Sequence, residues 1–259
     1  MVDLHCHLIP GVDDGPTTEA ESLEMMKVAI QEGITVIAAT PHHLNGKYIN
    51  NREDILKAVE QLNGLVKSHQ LPLKIVPGQE IRINGQFEED YDNEKIVTVG
   101  GNTQYVLVEL PSNHVPRYAT RLFYDIQLKN LRPIIVHPER NSEIIKNPEK
   151  LMQFIEKGAL VQVTAASITG CFGKKIQKFS FKLIEANAVQ IIASDAHNIT
   201  SRGFQMKGAT QLLKKKYGSD YVESLLTNAQ HILANKVVVP SLPESMERKK
   251  LWGILPIYF

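Results

Sequence analysis

Along this chain, short apolar runs alternate with longer stretches of helical period. The runs at 1–4, 35–40, 73–76, 105–110, 133–136, 159–163 and 189–193 predict parallel strands covered on both faces. Between them, Leu23, Met26 and Ile30, and then Ile55, Val59, Leu62 and Val66, recur at helical spacing and predict an apolar stripe on each of two helices. Thr17 or Thr18 ahead of Glu21 supplies an N-cap signature, and Gly33 stands where that helix should stop. The pattern yields about seven strand–helix units, and a (β/α) barrel of the TIM type is the economical way to close them. No Gly/Ser-rich linker or shift of composition divides the chain before about residue 235. We therefore expect one domain over residues 1–238 and a basic, apolar tail over 239–259, opened by Pro240 and Pro243 and carrying Arg248, Lys249, Lys250, Leu251 and Trp252.

Composition narrows the chemistry. The 259 residues are 43% hydrophobic and 22% charged, enough for one large core. With 29 basic against 28 acidic residues, no global field steers the chain onto nucleic acid, and a bound anion must be held locally. Two cysteines, Cys6 and Cys171, read as small buried hydrophobes, and the start MVDLHCH lacks the features of a secretory signal, so a cytoplasmic location is expected. A cysteine phosphatase loop would place Arg six residues after the nucleophile, where this chain has Val12 and Gln177. Phosphate-loop, dinucleotide and serine-hydrolase signatures are absent as well. Metal chemistry through His and carboxylate remains.

Asp3, His5 and His7 alternate along the first run, so a strand would turn all three to one face and Leu4 and Cys6 to the other. His5 and His7 can then close on one cation, with Asp3 placed to orient a ring. Other ligand-type residues fall at corresponding places: His42 and His43 after the second run, Glu80 after the third, Glu109 in the fourth, His137 to Arg140 after the fifth, Asp195 and His197 after the last. Parallel βα barrels bring the C-terminal strand ends together on one face, so these residues are expected to share a polymetal site there. Imidazole mixed with carboxylate suits Mn, Fe or Zn, and a bridging carboxylate such as Glu80 could hold two cations ~3.5–4 Å apart. Such a pair would acidify a water and polarise a phosphoryl oxygen, and Arg140 and Arg202, directly after two of the motifs, are candidates to grip phosphate. His43 should point away from the site, His69 and His231 fall on surface helices, His114 could line the entrance, and Arg82 could face the cavity or pair with a carboxylate.

The series DLHCH, DDG, TPHH, GQEIRI, HPERN and SDAHN is similar to the polymerase-and-histidinol-phosphatase (PHP) superfamily. GQEIRI, LPSNHVPRY and HPERN together resemble its capsule-operon protein-tyrosine phosphatase branch, of the CpsB/YwqE type, from Met1 to about residue 235. The resemblance implies a distorted barrel with three metal ions: His5, His7, Glu80 and Asp195 around one, Glu80, Glu109 and His137 around a second, and Asp14, His42 and His197 around a third. Carboxylates at Asp14 and Glu109, where many PHP proteins carry histidine, favour Mn, with Fe, Mg or Zn as alternatives. It also marks Arg140 and Arg202 as phosphate binders, working beside Asp195 and His197. It implies hydrolysis of phosphotyrosine on a protein, with a bacterial membrane tyrosine kinase controlling capsule or exopolysaccharide synthesis as the expected partner. A histidinol-phosphatase-like phosphomonoesterase and a non-catalytic kinase-docking regulator are the alternatives. The tail could touch the kinase or an anionic membrane surface.

Overall fold

The computed structural model describes residues 1–240 and 243. The expected tail, 239–259, lies outside the described residues apart from Val239, Pro240 and Pro243. The chain runs β1 (Val2–Cys6), α1 (Glu19–Gln31), β2 (Val36–Ala39), β3 (His42–His43), α2 (Arg52–Ser68), β4 (Lys74–Pro77), β5 (Glu80–Arg82), α3 (Phe87–Asp92), β6 (Tyr105–Glu109), α4 (Ala119–Leu128) and β7 (Arg132–Val136). After a 3-10 turn at Pro138–Arg140 come α5 (Ser142–Lys146), α6 (Glu149–Glu156), β8 (Leu160–Thr164), α7 (Ala165–Thr169), α8 (Lys174–Glu185), β9 (Ile191–Ala193), α9 (Met206–Tyr217) and α10 (Ser219–Leu233).

All seven apolar runs form strands, and all strand pairings among the described residues are parallel. The second and third runs are each followed by a separate short strand, however. β1-β2-β4 form one sheet and β3-β5-β6-β7-β8-β9 another. Pro41 has no N–H to continue the ladder after β2, and Gln79 turns its side chain to the backbone of Asn50 and Val97 after β4. A parallel bridge between Cys6 and Ala196 brings the end of β1 beside the end of β9, with Asp195 N–H donating to His5 O at 2.8 Å and His7 N–H to Ala196 O at 2.9 Å.

Helix signals hold with one shift. Thr18 caps α1 through a reciprocal capping box with Glu21, and Gly33 follows its end in the left-handed region at φ 84°. The buried face of α1 is Ser22, Met25, Met26 and Ala29, leaving the expected Leu23 and Ile30 at its edges. α2 buries Ile55, Val59, Leu62 and Val66 as the spacing predicts, each such burial contributing roughly 1.5–3 kcal/mol relative to exposure. Cys6 is buried, but Cys171 is exposed because it follows the end of α7 at Gly170, correcting the reading of both as core residues.

Strand alternation places the site. Val2, Leu4, Leu107, Ile134, Leu160 and Ile191 fill one core cluster, while Cys6, Val106, Val108, Ile135, Val161 and Ile192 turn toward the helices in the other. Leu4 and Cys6 therefore part company, against expectation, because the β1 register shifts between Asp3 and Cys6. Two residues beyond Leu107 on the same face is Glu109, and two beyond Leu160 is Gln162, so the apolar filling gives way to polar groups at the C-terminal strand ends.

Candidate metal centre

The first strand delivers His5 and His7 with their Nε2 atoms 3.3 Å apart. Both face the same two carboxylate oxygens: Glu80 Oε2 at 3.3 and 3.2 Å, and Asp195 Oδ1 at 3.4 Å from each ring. Four donor atoms from β1 and the residue just after it, β5 and the turn after β9 thus surround one point, fully screened from solvent.

The outer nitrogens of the rings are occupied. His7 Nδ1 donates to Asp13 Oδ2 at 2.6 Å, His5 Nδ1 to Gln162 Oε1 at 2.9 Å, and His197 Nδ1 to the Asp195 carbonyl at 2.9 Å. Each of these bonds fixes a tautomer whose Nε2 lone pair points into the cluster. Asp3 does not orient a ring: its Oδ1 accepts from the backbone N–H of Ser194 at 2.9 Å and of His5 at 3.4 Å, so it braces the junction of β1 with the turn after β9.

Among the described residues, three groups each bring their potential ligand atoms within 4.8 Å of one another: His5, His7 and Glu80; His42, Glu80 and Glu109; and His7, Asp14, His42 and His197. His137 reaches Glu80 Oε1 at 2.7 Å without joining Glu109 in one of these close groups, and Arg82 Nε donates to Glu109 Oε2 at 2.9 Å. His43 stands apart, its Nδ1 accepting from Asn50 N–H at 3.3 Å, and His69 and His114 are exposed. His114 is not among the residues lining the pocket over the centre.

The donor set fits cations. Glu80 Oε2 and Asp195 Oδ1 are buried without a hydrogen bond, and His42 Nδ1 and His197 Nε2 face carboxylate oxygens of Glu80 at 2.8 Å and Asp14 at 3.2 Å without making one, a costly arrangement unless positive charge lies between them. Electrostatics agree. Burial opposes charge on Glu80, yet His5 and His42 hold its carboxyl well below the usual range; burial and Glu80 push Glu109 up to about 7. Burial likewise disfavours imidazolium at His42, but Glu80 and Asp14 raise the ring to about 10, whereas burial with Arg140 lowers His137 to about 4.

Each motif has internal logic. In HPERN, His137 takes φ 37° and Pro138 opens the turn; buried Glu139 accepts from Thr164 N–H at 3.0 Å and Ser167 Oγ at 2.6 Å, and Asn141 caps α5. Arg140, pinned between them, places Nη2 2.7 Å from Asp195 Oδ2. Asp195 is also left-handed, at φ 52°; such backbone costs about 1–2 kcal/mol outside glycine and concentrates at functional sites. In SDAHN, Asn198 Oδ1 accepts from Arg202 N–H at 3.0 Å and folds Arg202 back, so its Nη1 meets Asp14 Oδ2 at 2.9 Å. In DDG, a side chain at Gly15 would lie 2.7 Å from the His7 carbonyl, so glycine lets Asp13 and Asp14 close under the histidines. Above them opens a pocket of about 330 Å³ lined by Asp14, His42, Glu109, His137, Arg140 and Arg202, among others. Sequence reasoning missed Asp13 and Gln162; the signals were the paired aspartates and a lone polar residue inside an apolar run.

A parallel βα scaffold with a buried His/carboxylate cluster and two arginines at its C-terminal strand ends defines a metal-centred hydrolase class. Within it, the chain belongs to the family described as "Capsular polysaccharide synthesis, CpsB/CapC", which matches residues 1–234. It is 44% identical over 253 residues to "Tyrosine-protein phosphatase YwqE" of Bacillus subtilis (strain 168), covering 98% of this chain and 99% of that protein. It is 40% identical over 256 residues to "Putative tyrosine-protein phosphatase CapC" of Staphylococcus aureus, covering 98% and 100%. A solved structure described as "Crystal structures of YwqE from Bacillus subtilis and CpsB from Streptococcus pneumoniae, unique metal-dependent tyrosine phosphatases" matches with a TM-score of 0.93 and 44% identity, over 96% of this chain and 100% of that one.

Proposed function

We propose that this chain is a metal-dependent protein-tyrosine phosphatase of capsular polysaccharide synthesis, hydrolysing phosphotyrosine on a membrane tyrosine kinase from the cytoplasmic side. The observation that carries the reading is the convergence of His5 and His7 Nε2 on Glu80 Oε2 and Asp195 Oδ1, each nitrogen within 3.4 Å of both oxygens, beneath Arg140 and Arg202. His5, His7, Glu80 and Asp195 would hold one cation, Glu80, Glu109 and His137 a second, and Asp14, His42 and His197 a third. Mn fits this carboxylate-rich set, with Fe, Mg or Zn as alternatives. When bound, the cations supply charge against phosphoryl oxygens and make water a nucleophile at neutral pH.

The chain's own side chains do the rest. Arg140 and Arg202, now paired with Asp195 and Asp14, turn their planar donors to the equatorial oxygens of the phosphoryl group. A phenol of pKa near ~10 leaves more readily than an alkoxide, so a tyrosine ester needs less help from a general acid. Residues 1–238 form the catalytic unit in this reading. The test is hydrolysis of a phosphotyrosine peptide before chelation, after it, and after Mn return, with metal content measured throughout. Activity lost and restored with metal is expected; full activity in a metal-free sample, or in a His5→Ala plus His7→Ala variant, overturns the reading. A large preference for histidinol phosphate would reassign the substrate.

A further inference from the structure

The chain's charge is nearly balanced, 29 basic against 28 acidic residues, yet one wall is not. α8 exposes Lys174, Lys175, Lys178 and Lys182, with Glu185 as its single acidic residue, and α9 carries no acidic residue while exposing Lys207 at its start. Glu185 is occupied by Lys216 at 2.8 Å. None of the other five lysines named makes an ion pair among the described residues. This wall is continuous with the centre: α8 packs on the Pro138–Arg140 turn, and Phe172, two residues before Lys174, lies under the Arg140 guanidinium at 5.5 Å.

We propose that this lysine stripe receives acidic residues flanking the phosphotyrosine of the substrate protein. The inference rests on the phosphatase reading and specifies its substrate class. Lys174, Lys178 and Lys182 fall on one helical row, stepping about 6 Å each. An extended peptide advances about 6.6 Å per two residues, so acidic side chains at alternate positions meet successive lysines as the segment leaves the pocket. A peptide fits better than a bilayer, because the large exposed apolar side chains, such as Ile49, Tyr124 and Ile199, are not on α8 or α9 and nothing there enters the acyl region.

The experiment uses the full-length, metal-loaded enzyme, a Lys174→Glu/Lys178→Glu/Lys182→Glu variant and the corresponding triple arginine variant. Substrates are a phosphotyrosine peptide with glutamates at alternate flanking positions, its glutamine counterpart, and phenyl phosphate. The glutamate variant should raise KM for the acidic peptide about tenfold at unchanged kcat, with the arginine variant near wild type and phenyl phosphate unaffected. Salt should erase the wild-type preference. Equal wild-type KM for the two peptides, or an equal rise on both, overturns the proposal. So does loss of binding to phosphatidylserine vesicles in the glutamate variant with peptide KM unchanged, which assigns the stripe to a membrane. Wild-type inactivity on all three esters would instead end the phosphatase reading, and this inference with it.

Discussion

Asp13 and Gln162 touch no phosphate, yet each takes the outer nitrogen of an inner imidazole, His7 at 2.6 Å and His5 at 2.9 Å. Replacing Asp13 by Asn keeps the shape and removes the charge that sustains the His7 bond. Affinity for Mn should fall about 10- to 100-fold, seen by calorimetric titration, with activity recovering at saturating metal. Protons matter at the same scale. In the metal-free protein His42 titrates at about 10 instead of 6.5, and Glu109 at about 7 instead of 4.5. A raised folded pKa contributes stability that is complete below the unfolded value and lost as pH rises through the folded one. The chelated protein should therefore have a lower urea midpoint at pH 9 than at pH 7, and the Mn-loaded protein a nearly flat one, because cations replace those protons. Most ligand-type residues were legible because a period of two and a strand-end position suffice to place them. Asp3 was misjudged because a carboxylate beside a histidine can equally serve the backbone, a choice made by the distant Ser194.

Elements built on local sequence were the readable ones. The stripe of α2 and the Thr18 capping box need only residues a turn apart. The two short strands were not readable, because His42–His43 and Glu80–Arg82 pair with each other and owe their conformation to partners far along the chain. That pairing carries Glu80 into the centre and hangs on a tight contact: a β-carbon at Gly78 would lie 2.7 Å from Thr40 Cγ2. Gly78→Ala should destabilise the protein by about 1–3 kcal/mol and weaken metal binding as β5 shifts. Adding Thr40→Ser removes the offending methyl but keeps the hydroxyl that accepts from Cys6 N–H at 3.1 Å. Chemical denaturation should show the double variant recovering most of the loss; if it does not, the contact is not what fixes β5.

At the scale of the molecule, the consequence is where unbalanced charge accumulates. Five carboxylates, from Asp13, Asp14, Glu80, Glu109 and Asp195, meet at one end of a sheet system whose other face and interior are apolar. Without cations the centre must rely on Arg140, Arg202 and protonated histidines, and several buried oxygens still lack a partner. The loaded and stripped proteins should thus differ in stability far from the site, because β1, β5, β6 and the turn after β9 all contribute ligand-type atoms and loosen together. Metal at a hundredfold excess over its dissociation constant stabilises the folded state by about 2.7 kcal/mol per site. For a chain of this size each kcal/mol is worth about 2–4 °C, so full chelation should lower the melting temperature by at least about 5–10 °C. Scanning calorimetry across a metal titration checks this. Successive rises in melting temperature, in step with metal content, are the outcome demanded by several cations of which two share Glu80; a melting temperature indifferent to chelator would mean that the cluster is held by its own ion pairs.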